Sequence, residues 1–272
     1  MNKKVLIFAI GLIIAIFFVV ISTKSKEPIL EQQEDISAET PQQLYKRAID
    51  YKKNYEKLKA KEIYQKILSD YSDFENIELV QKELEDLNIE IITSSVETPQ
   101  TVIHDVQSGD TLGKLAKKYG TTIELIKMRN DLKSNVIRIG QRLSIWTGSF
   151  NIFVDKSQNI FMLRNNDEIV KTYTVSTGKD VSVTPIGEFI IVNKLINPVW
   201  FNKGVVLPPE SPANVLGSRW MGFDLYGYGI HGTIYPETIG SHETAGCVRM
   251  HNEDVEEIFS MVPRGIKVVI VE

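Results

Sequence analysis

The hydrophobic pattern of this chain changes its period several times, and this change limits the fold most strongly. An uncharged apolar run comes first, helix-spaced apolar positions follow, and strand-like alternation begins at Phe150. A segment patterned for helices does not form strands, so the chain must contain domains of different class. The predicted division is an N-terminal anchor over 1–22, a linker over 23–40, a helical spacer over 41–93, a linker over 94–101, a mixed α+β domain over 102–147 and a mainly-β domain over 150–271.

The apolar run over 5–21 contains no charged residue and follows Lys3 and Lys4. As a helix it is about 26 Å long, close to the roughly 30 Å hydrocarbon core of a membrane. It therefore predicts an uncleaved transmembrane anchor. The alternative is a cleaved signal peptide, which the lack of a small-x-small cleavage site after the run disfavours.

Three amphipathic helices are predicted between the two linkers. Their apolar stripes are Leu44, Ala48, Tyr51 and Tyr55, then Ala60, Ile63, Tyr64, Ile67, Leu68 and Tyr71, then Ile77, Val80, Leu84, Leu87 and Ile91. Helical spacing of this kind indicates a small all-α unit, and the first two helices loosely resemble a tetratricopeptide hairpin. The unit is either a spacer or dimerising coiled coil, or a module that binds a partner protein.

The overall charge and the cysteine count exclude several classes of protein. The 272 residues carry 31 basic and 35 acidic side chains, a formal net charge of −4, with no basic cluster interleaved with aromatic residues. A nucleic-acid partner is therefore not expected. A single cysteine excludes an internal disulfide framework and directs attention to that one thiol.

The lone cysteine lies in the segment 231–250, HGTIYPETIGSHETAGCVRM. Cys247 directly follows Gly246, and His231 lies upstream, which predicts a thiol nucleophile and its base. Gly246 permits a tight turn that directs backbone N–H groups towards a developing oxyanion. A nearby imidazolium and Arg249 are expected to lower the pKa of the thiol.

Two polar side chains flank the cysteine. Arg249 is two residues beyond Cys247, so in an extended segment both point to the same side. Arg249 is predicted to pair with a substrate carboxylate, and a structural salt bridge is the alternative. Thr244 either donates a hydrogen bond near the thiol or the substrate, or only shapes the turn.

A zinc site is the rival chemistry for this region. His231, His242, Cys247 and His251 offer nitrogen and sulfur ligands suited to zinc. However, His242 and Cys247 lack a spacing fixed by a helix, and no supporting carboxylate is evident. We therefore expect no metal and no cofactor, with His242 a surface residue of the loop.

The pair His231-Gly232 and the run 244–249 resemble the L,D-transpeptidase (YkuD-like) catalytic domain, whose motif is His-Gly, a loop, then Ser/Thr-x-Gly-Cys-x-Arg/Asn. The resemblance covers about 150–271 and differs at Ala245, where the family usually has a histidine or another basic residue. It implies a mainly-β fold, Cys247 as nucleophile and His231 as base. It also implies that the Gly232 carbonyl orients the imidazole.

The family resemblance further implies a reaction on peptidoglycan. Its donor is a tetrapeptide stem, and the acyl-enzyme passes its acyl group to an amine, which gives a 3→3 cross-link or attaches a protein to the wall. Water as acceptor would make the enzyme an L,D-carboxypeptidase, and an inactive wall-binding scaffold is a further alternative. The implied location is the bacterial envelope, with the domains outside the cytoplasmic membrane.

The segment before the catalytic region resembles a LysM domain. It has the order βααβ, the sequence GDTL at 109–112, an asparagine after the second helix, and IxxGQxL near its end. The resemblance implies binding of glycan strands that contain N-acetylglucosamine. The residues implied to bind glycan are Gly109, Asp110, Thr111, Asn130, Leu132, Val136 and Ile137. Alternatively these residues only cap helices and fill a small core, and the polar flanks favour independent folding of the segment.

Overall fold

The computed structural model describes residues 39–179, 183–202 and 204–272. They fall into two compact units, divided between Asn88 and Ile89. The predicted anchor over 1–22 and nearly all of the first predicted linker lie outside the described residues.

The predicted fold class is wrong in its membrane-spanning element. In the described ranges, no helix is both long enough and apolar enough to cross a membrane. The longest of these helices carries acidic and polar side chains along its length, so it has a polar face that lipid would not solvate. The apolar run over 5–21, on which the prediction relied, is outside the described ranges. The βααβ segment and the mainly-β catalytic segment of the predicted fold class are both present.

The first unit is a helical hairpin followed by a third helix. Its helices are α1 (Pro41–Lys53), α2 (Lys57–Asp70) and the beginning of α3 (Ile77–Thr93). Thr40 starts α1 with a capping box, in which its hydroxyl accepts from Gln43 N and the Gln43 side chain accepts from Thr40 N. The hairpin buries the predicted stripe positions Leu44, Ala48, Ala60, Ile63, Tyr64 and Ile67.

The βααβ segment begins the second unit. It consists of β1 (Thr101–Asp105), α4 (Leu112–Tyr119), α5 (Ile123–Arg129) and β2 (Arg142–Trp146). The two strands pair antiparallel. Thr111 and Thr122 cap the two helices, each hydroxyl accepting from the backbone N–H three residues on. The small core contains Val106, Leu112, Leu115, Ala116, Ile126, Leu143 and Ile145.

One eight-stranded sheet dominates the catalytic segment. Its order is β13 (Val248–Arg249), β11 (Gly229–His231), β10 (Arg219–Phe223), β7 (Gly187–Ile196), β14 (Lys267–Val271), β3 (Phe150–Asp155), β4 (Ile160–Asn165) and β5 (Glu168–Thr174). The neighbours β11 and β13 are parallel, as are β14 and β3. Two short ladders pair β6 (Thr177–Gly178) with β12 (His242–Thr244), and β8 (Trp200–Asn202) with β9 (Val205–Leu207).

Helix α6 (Asn252–Met261) covers one face of this sheet. The Lys194 ammonium donates to the Phe259 and Val262 carbonyls at the end of the helix, and Arg219 stacks on the Phe259 ring. Burial lowers the pKa of Lys194 to about 8. Since side chains alternate along a strand, the residues after Lys194 and Arg219 point to the opposite face. That face carries the candidate site.

The βααβ segment shares its core with the catalytic segment. Leu125 and Trp146 belong to the same buried cluster as Ile258 of α6, and the Thr122 hydroxyl donates to the Ser260 carbonyl. The polar flanks had favoured independent folding, but these contacts place 89–272 in one compact unit. So short a segment cannot bury all its apolar side chains alone, and the helix α6 side of the catalytic segment covers the remainder.

A buried arginine joins the βααβ segment to the chain that precedes it. Arg129, at the end of α5, is 1% exposed. Its guanidinium donates to the carbonyls of Ile91, Ile92 and Val96, and to the Ser144 hydroxyl. Burial lowers its pKa to about 10. The hydrogen bonds tie the chain before the βααβ segment to the middle of that segment.

Candidate active site

The thiol of Cys247 lies just before β13, at the edge of the large sheet. Cys247 Sγ donates a weak hydrogen bond to the Gly227 carbonyl oxygen, 3.6 Å away. Burial raises the pKa of the thiol to about 11, and a backbone hydrogen bond from Gly229 acts in the opposite direction. The expectation of a lowered pKa was wrong, because the cost of desolvating a thiolate exceeds the effect of that hydrogen bond.

His231 ends β11, the strand next to β13, and is 5% exposed. Its Nδ1 donates to the Gly232 carbonyl oxygen at 2.7 Å, the partner implied by the family resemblance. Burial lowers the pKa of the imidazole to about 4, against the opposing effect of backbone hydrogen bonds with Gly232 and Leu216. Near pH 7 both His231 and Cys247 are therefore neutral, and in the described part of the chain no hydrogen bond joins them.

Asn252, which the sequence analysis did not select, fixes the backbone that follows His231. Its Oδ1 accepts from Ser218 N at 3.1 Å and Thr233 N at 3.0 Å, and its Nδ2 donates to Thr233 O at 2.8 Å. A Cβ on Gly232 would lie 2.1 Å from Asn252 Oδ1, which explains the glycine of the His-Gly pair. The signal in the sequence is the Asn that follows the Cys-x-Arg motif by three residues, at the start of a helix.

The cysteine is presented by a tight turn closed by Thr244. The Thr244 hydroxyl donates to the Cys247 carbonyl at 2.7 Å and accepts from Gly246 N at 3.2 Å. Gly246 has a φ of +110°, and a Cβ there would lie 2.8 Å from Tyr228 Cε1. Of the two predicted roles of Thr244, this hydrogen bonding matches the shaping of the turn. Tyr228 is therefore a neighbour of the site.

Arg249 lies on β13 and is paired in register with His231. It is 8% exposed, yet neither Nε nor Nη2 has a hydrogen-bond partner among the described residues. The structural salt bridge, the alternative for this residue, is not formed within those residues. Burial lowers the pKa of the guanidinium, while the charges of Glu243 and Glu237 act in the opposite direction. Buried guanidinium N–H groups without partners are costly, and a ligand carboxylate would supply the acceptors.

The four candidate zinc ligands are not assembled into a site. His242 lies in β12, where its Nδ1 donates to Thr177 Oγ1 at 2.8 Å and its Nε2 accepts from Asn159 Nδ2 at 3.3 Å. It therefore supports the β6–β12 ladder instead of standing in a free loop. Over the described ranges, no group of three or more His, Cys, Asp or Glu side chains is placed to hold a metal ion.

Several of the residues implied to bind glycan have their polar groups occupied within the protein. The Asn130 side chain donates to the carbonyls of Ile126 and Ser144 and accepts from Ser144 N. The Asp110 carboxylate accepts from Gln107 N and from His104 Nε2, and these two hydrogen bonds lower its pKa. Thr111 is the helix cap already described. These groups hold the two loops in place.

The remaining implied glycan residues differ in exposure. Leu132 and Ile137 pack against the small core, and Gly109 turns the first loop with a φ of +87°. Val136 is 74% exposed and lines a hollow of about 650 Å³ together with Ile139. The second loop therefore presents an apolar surface that a ligand can reach.

The comparisons with known families agree with both resemblances. Residues 149–271 match YkuD, the L,D-transpeptidase catalytic domain, and residues 104–146 match the LysM domain. The chain belongs to the YkuD family of L,D-transpeptidases, with a LysM domain preceding the catalytic domain. Both domains are of cell-wall-associated kinds, and together they indicate a peptidoglycan-modifying acyltransferase that binds peptidoglycan.

Individual relatives extend this match beyond the catalytic motif. A Bacillus licheniformis protein named "Putative L,D-transpeptidase YkuD" is 34% identical over 176 residues, which cover 62% of this chain and 98% of that protein. A Bacillus subtilis protein of the same description, YqjB, is 38% identical over 126 residues, 44% of this chain and 70% of that protein. The cell wall-binding protein YocH of Bacillus subtilis is 44% identical over 52 residues, 19% of this chain and 18% of that protein.

Proposed function

We propose that this protein is a peptidoglycan L,D-transpeptidase that works through a covalent thioester on Cys247. The observation that carries the proposal is the buried guanidinium of Arg249, whose Nε and Nη2 have no partner among the described residues. It lies on β13, two residues after the cysteine, and beside the neutral imidazole of His231. A nucleophile, a base and a carboxylate receptor within a few residues suit acyl transfer from a peptide with a free carboxylate.

In the first half of the reaction, the sulfur of Cys247 attacks the carbonyl between the third stem residue and the terminal D-alanine. His231 Nδ1 is occupied by Gly232, so Nε2 accepts the thiol proton. The backbone N–H of Cys247 stabilises the oxyanion, since the N–H of Gly246 already donates to the Thr244 hydroxyl. The C–N bond then breaks, the imidazolium gives its proton to the departing amine of D-alanine, and a thioester remains.

In the second half, an acceptor amine attacks the thioester carbonyl. His231 removes a proton from the amine, the C–S bond breaks and the thiolate recovers that proton. The product is a new amide, either a 3→3 cross-link or a protein attached to a stem. Arg249 holds a substrate carboxylate, and the neutral resting state of both groups means that charge separates only as the sulfur attacks.

The LysM domain holds the enzyme on the glycan strands of its substrate. The apolar surface at Val136 and the backbone at Gly109 form the glycan contact, while Asp110 and Asn130 keep the loops in shape. The match to a cell wall-binding protein supports this role. Replacing Val136 with Glu should lower the fraction of protein that sediments with insoluble peptidoglycan, while Asn135→Glu, at an exposed position of the same loop, serves as a charge-matched control. Partner binding by the helical unit stays a prediction.

The decisive experiment is mass spectrometry on the purified full chain with disaccharide tetrapeptides. We expect an acyl-enzyme that has lost D-alanine, followed by dimers linked through third residues. Cys247→Ala and His231→Ala should give neither. Tripeptide monomers alone would identify an L,D-carboxypeptidase. A folded wild-type protein that forms no acyl-enzyme would identify an inactive scaffold and overturn the proposal.

A further inference from the structure

We propose that the indole of Trp220 is the acceptor platform, an apolar floor on which an amine carried by an aliphatic chain lies as it attacks the thioester. This inference rests on the proposed acyl-enzyme function and adds a residue that selects the second substrate. It begins from the position of Trp220 in the sheet. Trp220 is paired in register with His231 on β11 and with Leu195 on β7, and His231 is paired with Arg249 on β13.

Residues paired across neighbouring strands share a face of the sheet. Leu195, Trp220, His231 and Arg249 therefore form one row on the face opposite α6. The indole and imidazole rings are stacked, with centroids 6.0 Å apart and planes 21° apart. The base thus has the carboxylate receptor on one side and the indole on the other.

Two glycines give the indole its place on the sheet. A Cβ on Gly222 would lie 2.7 Å from Trp220 Nε1, and a Cβ on Gly229 would lie 3.0 Å from Trp220 Cζ2. The ring system therefore lies against the backbone where side chains are absent. Its Nε1 donates to Asn193 Oδ1 at 2.9 Å, so the N–H group is satisfied within the protein. The partly exposed indole and the neighbouring Leu195, 48% exposed, leave apolar surface open next to the base.

The order of the row assigns this surface to the acceptor. Arg249 fixes the carboxylate of one substrate on the β13 side of His231. The attacking amine must also reach His231, and the row leaves the Trp220 side open to it. Contact between methylene groups and an indole stabilises the bound acceptor by removing apolar surface from water. The acceptor's ammonium group, before its deprotonation, is also attracted to the face of the indole. Water gains neither contribution, so the platform favours transfer to an amine over hydrolysis.

The test separates this role from mere support of the His231 ring. The full chain is acylated with a tetrapeptide stem, and two steps are followed by intact mass: formation of the acyl-enzyme and its breakdown by 1,5-diaminopentane or by water. For Trp220→Ala we expect acylation within about threefold of wild type and an aminolysis-to-hydrolysis ratio lower by on the order of tenfold. Trp220→Phe should recover most of the ratio. Hydroxylamine, which has no aliphatic chain, should react equally well with both proteins.

Each other result has a definite meaning. If Trp220→Ala slows acylation and aminolysis in equal proportion, the indole only supports the base and the platform is refuted. An unchanged ratio with normal acylation refutes it as well. If Trp220→Ala does not fold, Leu195→Gln makes the same test at the edge of the platform, where the ratio must fall. If wild type forms no acyl-enzyme, it is the proposed function that fails, and a normal acyl-enzyme with a changed ratio cannot be confused with that outcome.

Discussion

Replacing Arg249 with Met should stabilise the protein and remove most of its activity. In the folded chain the guanidinium is 8% exposed, and its Nε and Nη2 have no hydrogen-bond partners among the described residues. Burial already lowers its pKa, which shows that the charged form is disfavoured there. A methionine of similar length would fill the same space without polar groups to desolvate.

The expected size follows from the unsatisfied groups. Each buried nitrogen without a partner costs about 1–3 kcal/mol, so Nε and Nη2 together cost about 2–6 kcal/mol. Imperfect packing of the shorter methionine side chain reduces this gain in stability by about 1–2 kcal/mol. Arg249→Met should therefore raise the unfolding free energy by about 2–3 kcal/mol at the middle of these ranges, and by about 5 kcal/mol at most. The transition temperature should rise by about 2–4 °C for each kcal/mol.

The loss of activity should be larger than the gain in stability. Charge-assisted hydrogen bonds contribute about 1.5–3 kcal/mol each, so kcat/KM for a tetrapeptide stem should fall about a hundredfold or more. Urea denaturation and acylation kinetics measure the two effects, with Arg249→Lys as the control that keeps the charge but not the paired donors. A variant destabilised by 2 kcal/mol or more that acylates normally would show that Arg249 is structural, and would refute the reasoning.

Three further predictions concern pH, backbone strain and the domain junction. The His231 pKa is about 4 in the folded state and about 6.5 in the unfolded state, so the unfolded chain binds more protons between these values and stability falls as pH falls. In urea denaturation, wild type should lose about 3 kcal/mol more unfolding free energy between pH 7 and pH 4 than a His231→Gln variant. Equal losses in the two proteins would contradict this. Gly246→Ala should lower the unfolding free energy by about 1–3 kcal/mol and abolish acylation, because residue 246 has a φ of +110°. Normal acylation of this variant, measured by intact mass, would contradict the prediction. Leu125→Ala should lower the unfolding free energy by about 2–5 kcal/mol. In calorimetry, the LysM and catalytic domains should unfold in one shared transition, and the variant should lower its temperature. Two separate transitions would show that the domains unfold independently.

Much of the local architecture is readable from the sequence because its causes are local. The residue types offer Asp110 or Thr111 as the cap of the first LysM helix and Thr121 or Thr122 as the cap of the second. The structure uses Thr111 and Thr122, whose hydroxyls each accept a backbone N–H three residues on. The family was likewise identified from a short motif around Cys247, and the comparison with known families confirms it. Reaction chemistry that depends on a few residue types close together in the chain is visible without a structure.

Other predictions from local patterns were wrong, because a local pattern gives the preference of a segment and not the residues that surround it in the fold. The apolar run over 5–21 predicted a membrane helix, which no described helix supports. The polar flanks of the LysM segment suggested independent folding, whereas Leu125 and Trp146 lie in the core of the catalytic segment. Polarity of a linker does not show which apolar side chains the neighbouring segments leave uncovered.

The sequence by itself determined the chemistry at Cys247 and His231 as a hypothesis, together with the two families. Only the tertiary structure decided the direction of the pKa shifts of Cys247 and His231. The unpaired guanidinium of Arg249, the hydrogen bonds of Asn252 and the position of Trp220 beside the base likewise depend on it. These features depend on burial and on which strands become neighbours. Trp220, His231 and Arg249 share one row because β10, β11 and β13 lie side by side, and no periodicity within a single segment specifies that order.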